Sequence, residues 1–140
     1  MNKKVIDEEI AYAYKSLQDS GIAKKNPDTG KTEIKKAYQS QIASFGAAVA
    51  TGSLLAAVCF FLNDGNSAVK RSKLMEAIEL ILKEHGEVKE ISGGTHENEK
   101  KCKDLLEYID MTAPKRAKEE MINAAIALKL AMNLYKLTEE

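Results

Sequence analysis

The stretch AYQSQIASFGAAVATGSLLAAVCFFL, Ala37 to Leu62, contains none of the chain's 21 basic or 21 acidic residues, although 30% of the sequence is charged. A segment facing water throughout would carry its share of Lys and Glu, so 26 uncharged positions signal sustained burial. Its last 21 residues, Ile42 to Leu62, would reach about 30 Å as a helix, and length alone permits a membrane crossing. Ser44, Thr51, Ser53, two internal glycines and the alanines Ala47, Ala48, Ala50, Ala56 and Ala57 oppose that reading, because only Leu54 to Leu62 is strongly apolar. The segment reads instead as the charge-free centre of a helical bundle, whose small residues let neighbours approach closely. No membrane partner is expected, and a membrane-inserted hairpin is the less favoured alternative. Two helices of ordinary length are more usual than one of thirty residues, which predicts a kink or break near Gly46.

Outward from this centre, apolar spacing is helical nearly everywhere. Ile6, Ile10, Ala13, Tyr14 and Leu17 recur at three and four, and Gly21 closes that helix. Asn26-Pro27-Asp28-Thr29-Gly30 is a turn, after which Thr32 offers an N-cap to a helix bearing Ile34, Ala37, Tyr38, Ile42 and Phe45. Asn63 to Asn66 is a second turn, and Ser67 can cap a helix carrying Leu74, Ala77, Ile78, Ile81 and Leu82 up to Gly86. Glu87 to Glu97 is polar and broken by Gly93-Gly94, with Thr95 able to cap and Val88 and Ile91 able to anchor a short turn. Cys102, Leu105, Leu106 and Ile109 predict a short amphipathic helix, and Thr112 with Pro114 starts the last one. Met121, Ala125, Leu128, Met132 and Tyr135 form one stripe of that helix; Ile122, Ile126, Leu130, Leu134 and Leu137 form another. So wide an apolar arc leaves Ile126, Leu130, Leu134 and Leu137 as candidates for contact with another chain. No alternating strand pattern competes. The expected class is all-α, a compact antiparallel bundle of about five to six helices around the charge-free segment.

A length of 140 residues suits one domain, residues 1–140, with a core that needs neither metal nor disulfide. Cys59 and Cys102 are the only thiols, and in a Lys- and Glu-rich chain they are expected to be free, as in a reducing cytoplasm. Two glutamates, Glu8 and Glu9, come before any apolar run of signal-peptide length, so export is not expected and the localisation reads as cytoplasmic.

Chemistry-bearing motifs are missing. Gly46 to Gly52 lacks the GK[ST] ending that supplies a phosphate-binding Lys and a metal-binding hydroxyl. Two histidines, His85 and His96, and two cysteines give no ligand spacing for zinc, and no cofactor is expected. Both histidines lie in polar, loop-like sequence and are read as solvated, with Cys59 in the buried helix. Glu8-Glu9 and Glu119-Glu120 sit among lysines, where solvation and i,i+4 pairing explain them. Nothing suggests an enzyme or a small-molecule substrate.

Basic clustering remains. Lys24, Lys25, Lys35 and Lys36, with Lys15 and Lys31, outnumber Asp19, Asp28 and Glu33; Lys70, Arg71 and Lys73 form a second group, and Lys115, Arg116 and Lys118 a third. An acidic stretch of Glu84, Glu87, Glu90, Glu97 and Glu99, relieved only by Lys89, opposes them. A neutral chain can thus present a basic side to a phosphate backbone while its whole surface stays neutral.

Tyr38, Ile42, Val49, Gly52, Leu54 and the run Ala56 to Leu62 resemble the tyrosine, buried isoleucine, glycine-leucine turn and apolar helix of the small helical subunit of the type III-B CRISPR effector, the Cmr complex. The likeness extends to Ala11-Tyr12, Tyr108, Glu120 and Ala124 to Tyr135; Gly46 stands where proline is usual, and the family's terminal tryptophan is absent. The resemblance implies a non-catalytic subunit stacked head to tail in several copies with other Cmr subunits, along a groove holding target RNA paired with guide RNA. It implies no catalytic residue. The counterpart in the type III-A complex, or a helical protein–protein adaptor without RNA contact, is the alternative.

Overall fold

The computed structural model describes residues 1–86 and 103–139. His96, Cys102 and the acidic stretch from Glu87 to Glu99 lie outside the described residues.

Six helices occur among the described residues: α1 (Lys3–Asp19), α2 (Lys36–Thr51), α3 (Leu54–Leu62), α4 (Ser72–Glu84), α5 (Lys103–Met111) and α6 (Pro114–Met132). They pack around one buried cluster whose largest members include Leu17, Ile42, Phe45, Leu74, Ile78 and Leu128. The helical periodicities of α1 and α4 are those of the sequence: Ile6, Ala13 and Leu17 are buried on one, and Leu74, Ala77, Ile78, Ile81 and Leu82 on the other. Asn2 caps α1, its side-chain oxygen accepting from the Val5 amide at 3.2 Å.

The break in the charge-free segment lies at Gly52, not Gly46. Helix α2 runs straight through Gly46, where an added Cβ would meet nothing within 4 Å, whereas at Gly52 it would come 3.2 Å from the Ala48 carbonyl oxygen. Ser53 then caps α3 by accepting from the Ala56 amide at 3.2 Å. The segment is also only half buried. Tyr38, Ile42, Phe45, Val49, Leu54, Ala57, Val58 and Phe61 face the core, while Leu55, Ala56, Cys59 and Phe60 line an exposed side of α3. Cys59, expected to be buried, is exposed.

Helix α4 starts at Ser72 rather than after Ser67. Its cap comes from the preceding turn: Asp64 accepts from the Ser72 amide at 2.9 Å and from the Ser72 hydroxyl at 3.2 Å.

A small sheet also joins the segment between α1 and α2 to the residues that follow α6. Strand β1 (Lys24–Lys25) pairs antiparallel with β2 (Thr32–Lys35), and β2 pairs parallel with β3 (Lys136–Thr138), with Ile34 opposite Leu137. Thr32 is therefore a strand residue and not a helix cap. Likewise α6 ends at Met132, so Leu134 lies in a turn and Leu137 in β3, and neither extends a helical stripe. Burial over this stretch follows a strand's period: Tyr135 is in, Lys136 out, Leu137 half in.

Two contacts fix the direction of α6. The Asn2 amide donates to Asn123 Oδ1 at 3.0 Å, and Tyr135 Oη donates to the Tyr14 carbonyl at 2.9 Å, so α6 runs parallel to α1. The other long neighbours are antiparallel. Gln39 of α2 bonds Asn133 while Lys118 of α6 bonds the Gly52 carbonyl, and α4 starts beside Gly21 and ends beside Glu8 and Glu9.

Candidate nucleic-acid interface

These directions bring two of the three basic groups together and leave the third apart. The end of α1, the starts of α2 and α4 and the sheet meet at one end of the bundle. There a hollow of about 300 Å³ is lined by Gly21, Lys24, Lys25, Lys35 and Tyr38 among others. Gly21 has a φ of 82°, a turn that only glycine makes without strain, and the Lys73 amine lies 3.4 Å from where its Cβ would be. Lys73 is thereby carried from α4 over the turn that leads into β1. Tyr38 makes the second link. Burial raises its pKa, and the Asp64 charge adds to this, while a hydrogen bond with the Lys70 backbone opposes both. The hollow of the first basic group and the loop carrying the second thus share a wall.

Electrostatics at this end comes from side chains. Helices α2 and α4 begin here and α1 and α6 finish here, so opposite ends of the helix dipoles offset one another. Among the described residues Lys24, Lys25, Lys35 and Lys70 make no ion pair, while Lys36 is 3.7 Å from Glu139. Glu33, the acidic residue on the wall, is itself partnered: Asn26 donates to it at 3.1 Å and Lys136 lies 3.7 Å away. Arg71 points toward α3, its Nε donating to the Asn63 carbonyl at 2.7 Å and its guanidinium lying over Phe60.

Lys115, Arg116 and Lys118 open α6 beside Asn2, at the far end of α1, about 25 Å away at helical rise. Two of the three, Arg116 and Lys118, are already engaged. Arg116 pairs with Glu120 at 3.2 Å, Lys118 Nζ is 3.4 Å from the Gly52 carbonyl, and Glu9, Glu119 and Glu120 line the same hollow. The structure thus separates this group from the other two.

The candidate contact residues divide as well. Leu130 and Leu134 are 44% and 63% exposed, whereas Ile126 and Leu137 pack partly buried against the core. His85 is not a solvated loop residue. It ends α4 with Nε2 and Nδ1 each 3.3 Å from a carboxylate oxygen, of Glu8 and of the buried Glu9, and its ring lies 6.0 Å from that of Tyr12. This joins α4 to α1. No helix among the described residues is long and apolar enough to cross a membrane, and no group of three or more His, Cys, Asp or Glu among them could hold a metal ion.

Sequence reasoning missed Phe60, because an apolar residue inside an uncharged run reads as core. The signal available was its neighbour: Phe60 and Phe61 cannot both face inward on one helix, where adjacent residues stand about 100° apart.

No curated protein and no solved structure matches the chain. A family model described as CRISPR-associated protein (Cas_Cmr5) matches residues 7–133, from the first turns of α1 to the cap of α6. That span takes in every helix described above, including the Tyr38 to Leu62 stretch on which the resemblance rests, and the chain belongs to the CRISPR-associated Cas_Cmr5 family.

Proposed function

We propose that the chain is the non-catalytic small subunit of a type III-B (Cmr) RNA-guided effector, stacking in several copies so that its basic ends border the groove holding target RNA paired with guide RNA. The carrying observation is that Lys24, Lys25 and Lys35 line one hollow, while the Lys73 amine lies beside its Gly21 and the Lys70 backbone bonds its Tyr38. Complementarity between guide and target supplies sequence recognition in such a complex, so the protein needs only to hold phosphates. Lys24, Lys25, Lys35 and Lys70, which make no ion pair among the described residues, suit that task, because each neutralised phosphate releases a counterion. Its partners are other Cmr subunits, further copies of itself and the RNA backbone.

Charge reversal tests this reading. In a reconstituted complex carrying K24E, K25E and K70E, target-RNA affinity should fall and its dependence on salt should flatten by roughly 0.7 per lost contact to a single strand. Unchanged affinity and slope would sink it. The adaptor reading is favoured by one observation, the exposure of Leu130 and Leu134. Under it, L130D with L134D would abolish assembly while the lysine variants stayed silent.

A further inference from the structure

Phe60 is 60% exposed, and it stands in a built setting. The Arg71 guanidinium lies 4.2 Å over its ring centre, and the buried Phe61 meets it at 5.6 Å with the rings tilted by 70°. Arg71 is held in that position, since its Nε donates to the Asn63 carbonyl at the end of α3. One face of the ring is thus covered by a fixed cation and one side by a core aromatic. The area left to solvent is the opposite face and the free edges.

A single exposed aromatic is an ordinary surface feature. This one ends the uncharged outer side of α3, with Leu55 and Cys59 exposed beside it, and lies against the Lys70 to Lys73 segment that closes over the basic hollow. A flat apolar ring stacked on the Arg71 guanidinium, next in the chain to Lys70, is complementary to a polyanion that carries flat apolar groups. Single-stranded nucleic acid has that chemistry: the backbone follows the positive charges while a base lies on the ring, in a contact that any base can make. The guanidinium behind the ring adds positive charge where phosphates pass and holds the platform rigid.

We propose that Phe60, backed by Arg71, is a stacking platform for an unpaired base of single-stranded RNA. This rests on the RNA-binding reading above and adds to it a contact to a base, where that reading needs only phosphates. The subunit would then favour strand positions that are not base-paired.

The chain has no tryptophan, so F60W introduces a single indole at the platform. Full-length F60W is titrated at low salt with a mixed-sequence single-stranded RNA and with an abasic ribose-phosphate oligomer of equal length. Quenching by the RNA and little by the abasic oligomer is expected. F60A, and F60L, which keeps apolar volume but no aromatic face, should each bind the RNA about five- to tenfold more weakly than wild type, with the salt slope and the abasic affinity unchanged. Circular dichroism confirms that each variant is folded. Equal RNA affinity of F60A and wild type with a preserved salt slope would overturn the platform and leave phosphate binding intact. Absence of salt-dependent binding of either oligomer by wild type would overturn both readings. A change in F60W emission with protein concentration alone would assign the surface to a protein contact and overturn the platform.

Discussion

The rings of Tyr14 and Tyr135 lie 4.7 Å apart and within 12° of parallel, and the Tyr135 hydroxyl donates to the Tyr14 backbone carbonyl at 2.9 Å. Tyr14 is near the end of α1 and Tyr135 just beyond α6, so this stack fastens together the finishing ends of two parallel helices. The Asn2 to Asn123 bond fastens the start of α1 to the middle of α6. Tyr135 is the buried member, and burial pushes its pKa up to about 12.

Y135F should therefore lower unfolding free energy by about 1 kcal/mol at neutral pH, the worth of one hydrogen bond, while keeping the stack. The pH dependence has a definite sign. A phenol whose folded pKa exceeds its unfolded value of 10.0 contributes stability that is complete below pH 10 and is lost as pH rises toward about 12. The difference in urea midpoint between wild type and Y135F should shrink across that window, and a constant difference would refute the assignment. Tyr38, raised in the same direction, remains in both proteins and cancels.

His85 is a point at which α4 is tied to α1, and H85A should cost about 1–3 kcal/mol by removing the imidazole that lies against Tyr12, 3.3 Å from the buried Glu9 carboxylate. Urea unfolding would read this directly. A cost near zero would place the stabilisation of Glu9 entirely with its other neighbours.

Two glycines should respond oppositely to alanine. G46A lies inside α2 with open space around the new methyl, and should raise stability by roughly 1 kcal/mol through helix propensity. G21A forces a side chain into a φ of 82° beside Lys73, and should lower it by about 1–2 kcal/mol. Thermal melts of the pair would show shifts of opposite sign.

Asp64 caps α4 from eight residues upstream, and D64A should cost about 1 kcal/mol. S67A should cost nothing measurable, which distinguishes the remote cap from the local one that the sequence suggested.

K115E with R116E and K118E should leave the salt dependence of RNA binding unchanged in an assembled complex, since these residues open α6 at the end away from the hollow. A flattened slope would move the RNA path toward that end.

The core helices were legible because their information is local. Leu74, Ile78, Ile81 and Leu82 announce α4 by spacing alone, and the Asn26 to Gly30 turn is spelled out by its residue types. The sheet was not legible, because β2 takes its conformation from β3, a partner about a hundred positions away: Glu33 pairs with Lys136. Leu134 and Leu137 stand three apart and imitate a helical stripe, although the chain is already turning there. Gly46 and Gly52 look alike in sequence, and only the approach of the Ala48 carbonyl tells them apart. Of the basic groups the membership was visible, but which of them meet is decided by helix direction, and no composition argument contains that.

The parallel pairing of β2 with β3 also imposes an order on biosynthesis. Thr32 to Lys35 leave the ribosome early, yet the strand that flanks them arrives only with Lys136 to Thr138. Until then β2 keeps an open edge beside the lysines of the hollow. The basic end of the molecule thus takes its finished form only after α6 has been made.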